Sequence, residues 1–202
     1  MALDGSGGQE GGETPGRADA RRNREKLLIA AAELFAAAEG DVTLSAVAAR
    51  AGVGIGTLYR HFPTREALVA AVYRNEVDRL YDAAGALLRR LPPEAALSDW
   101  MDRYAAMVAA KRGMAEALAR MRESDAETLA PIKSRIREAM TSLLDAGARA
   151  GVIRADADAD DVLLAAAASI WAIADQPDWR QRAGRLLRLL LDGLRYQPGK
   201  PG

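Results

Sequence analysis

The chain has 202 residues and half of them are apolar, which is enough for a substantial core in one or two small domains. It contains no cysteine, and this excludes a disulfide framework and any thiolate metal site. The formal net charge is zero, but residues 17–65 carry eight basic and five acidic side chains, whereas residues 1–16 carry three acidic ones and no basic one. Positive charge is therefore concentrated in the first folded quarter of the chain, as a nucleic-acid partner requires, although the excess is small.

The two ends of the chain differ from the rest in composition. Residues 1–16 are rich in glycine and almost devoid of apolar side chains, so we expect a disordered tail there, and another at 197–202. No basic segment followed by an apolar one opens the chain, and the longest near-apolar run, residues 162–174, is too short to cross a bilayer. The sequence therefore predicts a soluble protein without a secretion signal.

The first predicted helix begins near Asp19. Apolar residues recur there at intervals of three and four, the spacing that places side chains on one face of a helix. They are Leu27, Leu28, Ala31, Leu34, Phe35 and Ala38. This stripe predicts an amphipathic helix that ends near Gly40, because glycine commonly follows the last turn of a helix.

Residues 43–62 have the pattern of a helix-turn-helix. Thr43 is a good N-cap for a short second helix, and Gly52 ends that helix with a turn. The small Ala48 lies where the paired helices would cross, and the third helix ends near Phe62. The apolar residues that would hold the unit together are Val47, Val53 and Leu58. In such a unit the second of the paired helices enters the major groove of DNA.

Beyond Thr64, which caps a fourth helix, the sequence is helical in period and is broken at proline or glycine. The fourth helix is predicted to run to about Arg90, and five more are predicted at 94–110, 114–123, 126–148, 158–174 and 178–195. No alternating strand pattern is present, and the short loops indicate antiparallel neighbours in a bundle. The predicted fold is all-α, with a three-helix helix-turn-helix domain at 17–64 followed by a C-terminal helical bundle at 65–196.

The run AGVGIGTLYRHFPTREALVAAV at residues 51–72 closely resembles the TetR family of bacterial regulators, and the resemblance extends upstream to about residue 20. It implies a one-component transcription regulator that binds a pseudo-palindromic double-stranded DNA operator as a homodimer. Repression is the expected output, because most members of the family are repressors. The bundle would then serve dimerisation and the binding of an unidentified small-molecule effector. We also expect a cytoplasmic bacterial protein, associated with the nucleoid when bound to DNA, that uses no cofactor, metal or membrane.

The resemblance also assigns roles to individual residues. Thr43 and Ser45 would offer hydroxyl and backbone N–H groups to a phosphate at the start of the second helix. Tyr59 and His61 would donate hydrogen bonds to phosphates, and Arg65 would add a phosphate contact at the start of the fourth helix. The remaining predicted DNA-binding residues are Gly54, Ile55, Gly56, Thr57 and Arg60 at the groove, with Arg21, Arg22 and Arg24 flanking the duplex.

The predicted recognition helix has few groups that read bases directly. Gly54 stands where family members often have serine, so a capping hydroxyl is absent. The two glycines and Ile55 cannot make bidentate hydrogen bonds to bases. We therefore expect specificity to depend on Thr57 and Ser45, on apolar contact with thymine methyl groups and on DNA shape.

Methionine and aromatic residues of the bundle are candidates for an adaptable apolar ligand cavity. They are Trp100, Tyr104, Met107, Met114, Met121, Met140 and Trp171. Residues at helical spacing also serve as ordinary core, and that alternative stays open for each of them.

The last two predicted helices are candidates for a dimer interface, because residues 162–174 are apolar nearly all round and leucines form a wide stripe along 186–194. The predicted interface residues are Leu163, Ala167, Ile170, Leu187, Leu190, Leu191 and Leu194. A two-fold axis there would place two recognition helices on one operator. The alternative is that both helices belong to the core of a monomer.

Two other functions fit parts of the sequence. A helical bundle can be a small-molecule binding protein or an enzyme without a role at DNA, but the chain offers no nucleophile-base pair, no Glu-x-x-His motif and no phosphate-binding loop. With a single histidine, His61, it cannot build a His-based metal site. A helix-turn-helix can also serve only in assembly, and the small surface of residues 54–57 argues against that. We therefore expect a regulator and not an enzyme.

Overall fold

A computed structural model describes residues 15–37, 42–124 and 126–195, and within these ranges every regular element is a helix. The helices are α1 (Pro15–Ala37), α2 (Leu44–Ala51), α3 (Ile55–His61), α4 (Arg65–Leu88), α5 (Pro93–Ala110), α6 (Ala115–Ser124), α7 (Ala126–Arg149), α8 (Ala159–Trp171) and α9 (Trp179–Leu194), with a 3-10 turn at Lys111–Met114. None of these helices combines the length with the apolar composition that a membrane span requires. The predicted all-α fold, with a helix-turn-helix first and a helical bundle after it, is confirmed.

The helix bounds lie close to the predicted ones, except at the beginning of α1. That helix begins at Pro15, so the last two residues of the segment predicted as a tail are helical. Proline suits the first helical position because its missing N–H would have no partner inside the helix. Residues 1–14 and 196–202 lie outside the described part of the chain, and so does the predicted helix end near Gly40.

Side-chain caps determine where α2, α4 and α8 begin. Thr43 Oγ1 accepts a hydrogen bond from the Ala46 N–H at 3.2 Å, and Thr64 Oγ1 accepts one from the Ala67 N–H at 3.1 Å. Asp158 accepts from two backbone N–H groups in the first turn of α8. These bonds satisfy donors that have no partner within the helix, which accounts for the starts of these helices.

The N-terminal core joins α1, α2, α3 and the first turns of α4. Met114 and Ala117, which follow much later in the chain, also belong to it. Leu118 packs against this core and against the core of the bundle, so α6 contacts both parts of the molecule. Fully buried members of the N-terminal core are Leu27, Ala31, Val47, Leu58, Leu68 and Val69.

The bundle core joins the remainder of α4 to α5, α7, α8 and α9. Trp100 is fully buried, and its indole Nε1 donates to the Leu80 carbonyl oxygen at 2.8 Å, which fixes α5 against α4. Tyr104 stacks on Trp100 with ring centroids 5.6 Å apart and donates its hydroxyl to the Leu163 carbonyl oxygen at 3.3 Å, which joins α5 to α8. Because burial disfavours the phenolate, the pKa of Tyr104 is raised to about 12.

Candidate nucleic-acid interface

The turn between α2 and α3 is built around Gly52. Its φ of 67° and ψ of 33° lie in the left-handed region, which glycine adopts without the strain that a Cβ introduces. The Gly52 N–H donates to the Ala49 carbonyl oxygen at 3.1 Å, and the Val53 N–H donates to the Ala48 carbonyl oxygen at 3.1 Å. These bonds close α2 and redirect the chain, so that α3 begins only three residues beyond the glycine.

The inward faces of α2 and α3 hold the two helices together. Val47 and Leu58 are fully buried, and the small Ala48 is buried beside them. Phe62 is also buried, at the end of α3, whereas Tyr59 lies on the other face. The predicted role of Val47 and Leu58 in holding the unit together is therefore confirmed.

The outward face of α3 is small and mostly open. A Cβ placed on Gly54 or Gly56 would meet no atom within 4 Å, because both glycines are exposed. Ile55 is 42% exposed and Tyr59 is 50% exposed. A surface of this kind can approach a DNA groove closely while it presents one apolar side chain and one phenolic hydroxyl.

Arg60 folds back along α3. Its Nη2 donates to the Thr57 hydroxyl at 3.1 Å, and its Nε donates to the Gly56 carbonyl oxygen at 3.3 Å. His61, half-buried in the next position, lies beside the Phe62 ring. Two side chains that the sequence predicts at the groove, Thr57 and Arg60, therefore contact each other.

The arginines predicted to flank the duplex, Arg21, Arg22 and Arg24, lie on the exposed N-terminal half of α1. The Arg24 guanidinium is 5.4 Å from the centre of the Phe62 ring, and Arg22 forms an ion pair with Asp19 of its own helix. The contact with Phe62 places this part of α1 next to the C-terminal end of α3. Basic side chains and the recognition helix therefore lie close together.

An ion pair that the sequence did not predict joins α1 to α2. Arg50 donates two hydrogen bonds to Glu33 Oε2, at 2.7 and 3.0 Å. The two residues are 17 positions apart, so helical spacing gives no signal of their contact. Exposed pairs of this kind contribute little stability, about 0.2–1 kcal/mol, so this one adds only a minor link between α1 and α2.

The start of α4 is connected to α6 by a second ion pair. Arg120 donates to Glu66 Oε1 at 3.2 Å and to Glu116 Oε1 at 2.5 Å. The pKa of Glu66 is lowered, chiefly by a backbone hydrogen bond in the first turn of α4 and further by Arg120. Because Glu66 follows Arg65, α6 contacts the residue next to a predicted phosphate contact.

Comparison with known proteins identifies both halves of the chain. Residues 27–72 match the tetR family of bacterial regulatory proteins, and residues 92–196 match the C-terminal domain described as transcriptional regulator SbtR-like. A TetR transcriptional regulator from Streptomyces coelicolor is 46% identical, with a TM-score of 0.77, over 85% of this chain and 98% of that one. The chain belongs to the TetR family. Its family is one of transcriptional regulators, and the prediction made from residues 51–72 is confirmed.

Two further relatives differ in how much of the chain they match. A TetR transcription regulatory protein from Mycobacterium vanbaalenii is 36% identical, with a TM-score of 0.66, over 90% of this chain and 100% of that one. An HTH-type transcriptional regulator from Staphylococcus aureus (strain MRSA252) is 36% identical over 67 residues, which span 32% of this chain and 35% of that protein. The contacts assigned to individual residues at DNA stay predictions.

The residues predicted to line a ligand cavity in this TetR-family protein lie in different places. Trp100 and Met140 are fully buried in the bundle core, and Tyr104 is buried beside Trp100. Met107 and Met114 border a cleft between the two cores. The predicted cavity residues therefore do not lie around one space.

The other two predicted cavity residues lie on α6 and α8. Met121 is part of α6, but its side chain lies outside the described part of the chain. Trp171 is 48% exposed in the single chain, and its role in a ligand cavity stays a prediction. The inward face of α8 is occupied by its buried residues Val162, Leu163, Ala166 and Ile170.

Most of the predicted dimer-interface residues are buried within the single chain. They are Leu163, Ile170, Leu187, Leu191 and Leu194. Side chains that pack inside their own chain offer little surface to a partner, and the contact of these five residues with a second copy stays a prediction. Ala167 and Leu190 are partly exposed and stay candidates.

Other side chains form the apolar surface of α8 and α9. Leu164 and Leu189 are each 69% exposed, and Trp171 is 48% exposed. Leu164 and Trp171 are seven positions apart and therefore lie on one face of α8, with the exposed Ala168 between them. The sequence did not select this face, because apolar residues surround α8 nearly completely.

Proposed function

We propose that the protein is a dimeric, ligand-responsive repressor that binds a pseudo-palindromic DNA operator through α3. The observation that carries this proposal is the two-sided character of α3. Leu58 is fully buried on one side, whereas two open glycines and the half-exposed Tyr59 lie on the other. A short helix supported in this way fits a major groove about 12 Å wide. We expect the protein to act in the bacterial cytoplasm, at the nucleoid when it is bound to DNA.

Phosphate contacts supply most of the DNA affinity in this proposal. Ser45 is exposed in the first turn of α2, and Tyr59 is exposed on α3, where their hydroxyl groups reach the DNA backbone. Arg21 adds a charge at the edge of the duplex. Each phosphate contact by a basic residue releases counterions, so Arg21→Gln should lower the slope of log affinity against log salt concentration by about one.

Fluorescence anisotropy with DNA from the region upstream of the protein's own gene tests the role of α3. We expect Tyr59→Phe to weaken binding at least about tenfold, because a hydrogen bond to a charged group contributes roughly 1.5–3 kcal/mol. Tyr81→Phe removes a hydroxyl from the bundle part of α4 and should leave the affinity unchanged. Full affinity in a Tyr59→Phe/His61→Ala double variant would contradict the assigned contacts.

The apolar surface of α8 and α9 supports dimerisation. Large apolar side chains exposed together mark association sites, and Leu164, Trp171 and Leu189 stand out among those on the described surface of the bundle. A symmetric contact between two such surfaces pairs the same patch on both copies. The dimer then presents two α3 helices to the two halves of one operator.

Sedimentation velocity of a Leu164→Glu/Leu189→Glu variant tests this interface. We expect a folded monomer, because the two side chains are exposed in the single chain and their loss opens no cavity in its core. Ile29→Glu is the matched control, since Ile29 is 39% exposed on α1, a helix of the N-terminal core. A double variant that sediments as the same dimer as the unaltered protein would contradict the proposed interface.

The connection between the two cores supports a response to a ligand. α4 belongs to both cores, and α6 packs on both and holds Glu66 through Arg120. A change in the bundle therefore alters the support of the N-terminal unit. A transcriptional reporter at the operator tests the direction of regulation: deletion of the gene for this protein should raise transcription, and a fall would show an activator instead.

A further inference from the structure

We propose that a cleft between the two cores binds a small organic anion with a compact apolar body, such as a monocarboxylate. The cleft lies between α1, α4, α5 and the 3-10 turn and has a volume of about 330 Å³. This volume lies at the lower end of the range for ligand sites in proteins, about 300–1,000 Å³. The effect on transcription rests on the proposed function, whereas the binding itself does not depend on it.

The floor of this interdomain cleft is apolar and is shared by the two cores. Val72 and Met114 belong to the N-terminal core, and Leu80 and Met107 belong to the bundle core. Two of these four residues are methionines, whose unbranched side chains adapt to differently shaped ligands. A molecule bound here touches both parts of the protein at the same time.

Small residues create the space above this floor. Ala32 and Ala36 line the cleft from α1, and Ala106 and Ala110 line it from α5. In each pair the residues are four positions apart, so they form a continuous small face on their helix. The facing helices therefore leave a gap between them where larger side chains would close it.

The rim of the cleft carries two arginine side chains whose ion pairs are long. It includes Arg79, Arg103 and Glu76. Arg79 is paired with Glu76, and Arg103 with Asp99, each at 3.7 Å within its own helix. Those distances are too long for hydrogen bonds, so the guanidinium N–H groups have the capacity to donate to another acceptor. A carboxylate matches the planar fork of an arginine side chain, which favours an anionic ligand over a neutral one.

The position of the cleft explains how a bound anion would influence α3. On one side, the hydrogen bond from Trp100 to the Leu80 carbonyl fixes α5 against α4. On the other side, α1 is joined to α2 by the ion pair between Glu33 and Arg50. A ligand held between α1 and α5 therefore acts on α1, the helix against which the helix-turn-helix packs. Occupancy of the cleft would shift the recognition helix relative to the bundle.

Fluorescence titration of the full-length protein with anilinonaphthalene sulfonate, an aromatic anion, tests the site. We expect Arg79→Gln/Arg103→Gln to weaken binding of this probe at least about fivefold, because it removes both positive charges of the rim. Arg137→Gln/Arg149→Gln is the matched control. Both of its arginines are exposed on α7, and Arg137 has a similarly long ion pair, 3.8 Å, to Asp160. A loss of probe affinity smaller than about fivefold in the rim variant would overturn the proposal, and so would an equal loss in the control variant.

A second variant tests the space of the cleft without changing its charge. Ala36→Leu/Ala106→Leu fills the gap from two exposed positions and should weaken probe binding by the same factor or more. Far-UV circular dichroism and the Tm establish that both variants are folded. In the unaltered protein, octanoate should displace the probe at least about fivefold more effectively than octan-1-ol, because only octanoate carries the charge. Equal displacement by the two would overturn the anionic character of the ligand.

Operator affinity measured without the probe separates this site from the proposed function. The rim variant should bind the operator as the unaltered protein does, because Arg79 and Arg103 lie away from α3. If the unaltered protein binds no DNA, the proposed function fails and the probe titration still decides the cleft. If the protein binds DNA and the probe result is negative, the cleft assignment alone fails.

Discussion

The contacts inside the helix-turn-helix unit and those inside the helical bundle differ in how far apart their residues lie in the sequence. In the unit, the cap by Thr43 and the bonds around Gly52 join residues no more than five positions apart. In the bundle, Trp100 bonds to a carbonyl 20 residues away, and Tyr104 bonds to one 59 residues away. Local contacts thus close the turn between α2 and α3, the surface proposed to approach DNA, whereas distant contacts build the part proposed to respond to a ligand or a partner.

The largest expected effect tests whether the unit, despite its local bonds, depends on a buried side chain. Leu58→Ala should lower the free energy of unfolding by about 2–5 kcal/mol, because it leaves a cavity under α3. Tyr59→Ala, one position further on the exposed face, should change it by less than about 0.5 kcal/mol. Urea denaturation measures both. Equal losses in the two variants would show that the core under α3 is not the source of its stability.

The pH dependence of stability tests the long-range contact made by Tyr104. The folded-state pKa of about 12 lies above the ordinary tyrosine value of 10.0, so the stability that this group contributes is complete below pH 10 and is lost as the pH rises towards 12. The loss amounts to roughly 2–3 kcal/mol at most. Tyr104→Phe should lack this component of the pH dependence. Identical stability curves for the two proteins between pH 9 and 12 would contradict the burial of this hydroxyl.

Replacing a glycine in α7 by alanine tests whether packing against a distant residue outweighs the higher helix propensity of alanine. A Cβ on Gly147 would lie 2.9 Å from Ile153 Cβ and would overlap its Cγ1, so Gly147→Ala should destabilise the protein by about 1–3 kcal/mol. At Gly85, in α4, the nearest atom is the flexible end of Arg89 at 3.4 Å. Gly85→Ala should therefore be stabilising by up to about 1 kcal/mol, as helix propensity alone predicts. Thermal unfolding would refute this contrast if both variants shifted the Tm in the same direction.

The smallest expected effect concerns a purely local contact. Thr43→Ala removes the side-chain acceptor for the Ala46 N–H and should cost about 1 kcal/mol of stability. Thr43→Ser keeps an acceptor in the same place and should restore most of the loss. Denaturant midpoints of the three proteins check this series. A serine variant as unstable as the alanine variant would show that the cap is not the stabilising contact.

The same difference in range explains what could be predicted from the sequence. Caps and turns depend on residues close together in the chain, so Thr43, Gly52, Leu58 and Phe62 could be assigned to their places without a structure. Family resemblance then supplied the roles of these residues, which spacing alone cannot give.

Positions set by distant contacts could not be predicted in this way. Leu163 and Leu164 are neighbours in an apolar helix, and only the packing of α8 against α5 and α9 decides that the first is buried and the second exposed. Met114 belongs to the N-terminal core only because the 3-10 turn packs back against α1 and the start of α4. The interdomain cleft also arises from contacts between distant segments.

Hydroxyl-radical footprinting of the intact protein on its own upstream DNA tests the proposed dimeric repressor most directly. We expect two protected half-sites whose centres are separated by about one helical turn, 10–10.5 base pairs, or a multiple of it. The Leu164→Glu/Leu189→Glu variant should lose the paired protection at protein concentrations where the unaltered protein shows it. No protection at low salt, or paired protection that survives in this variant, would contradict a repressor that reads its operator as a dimer through α3.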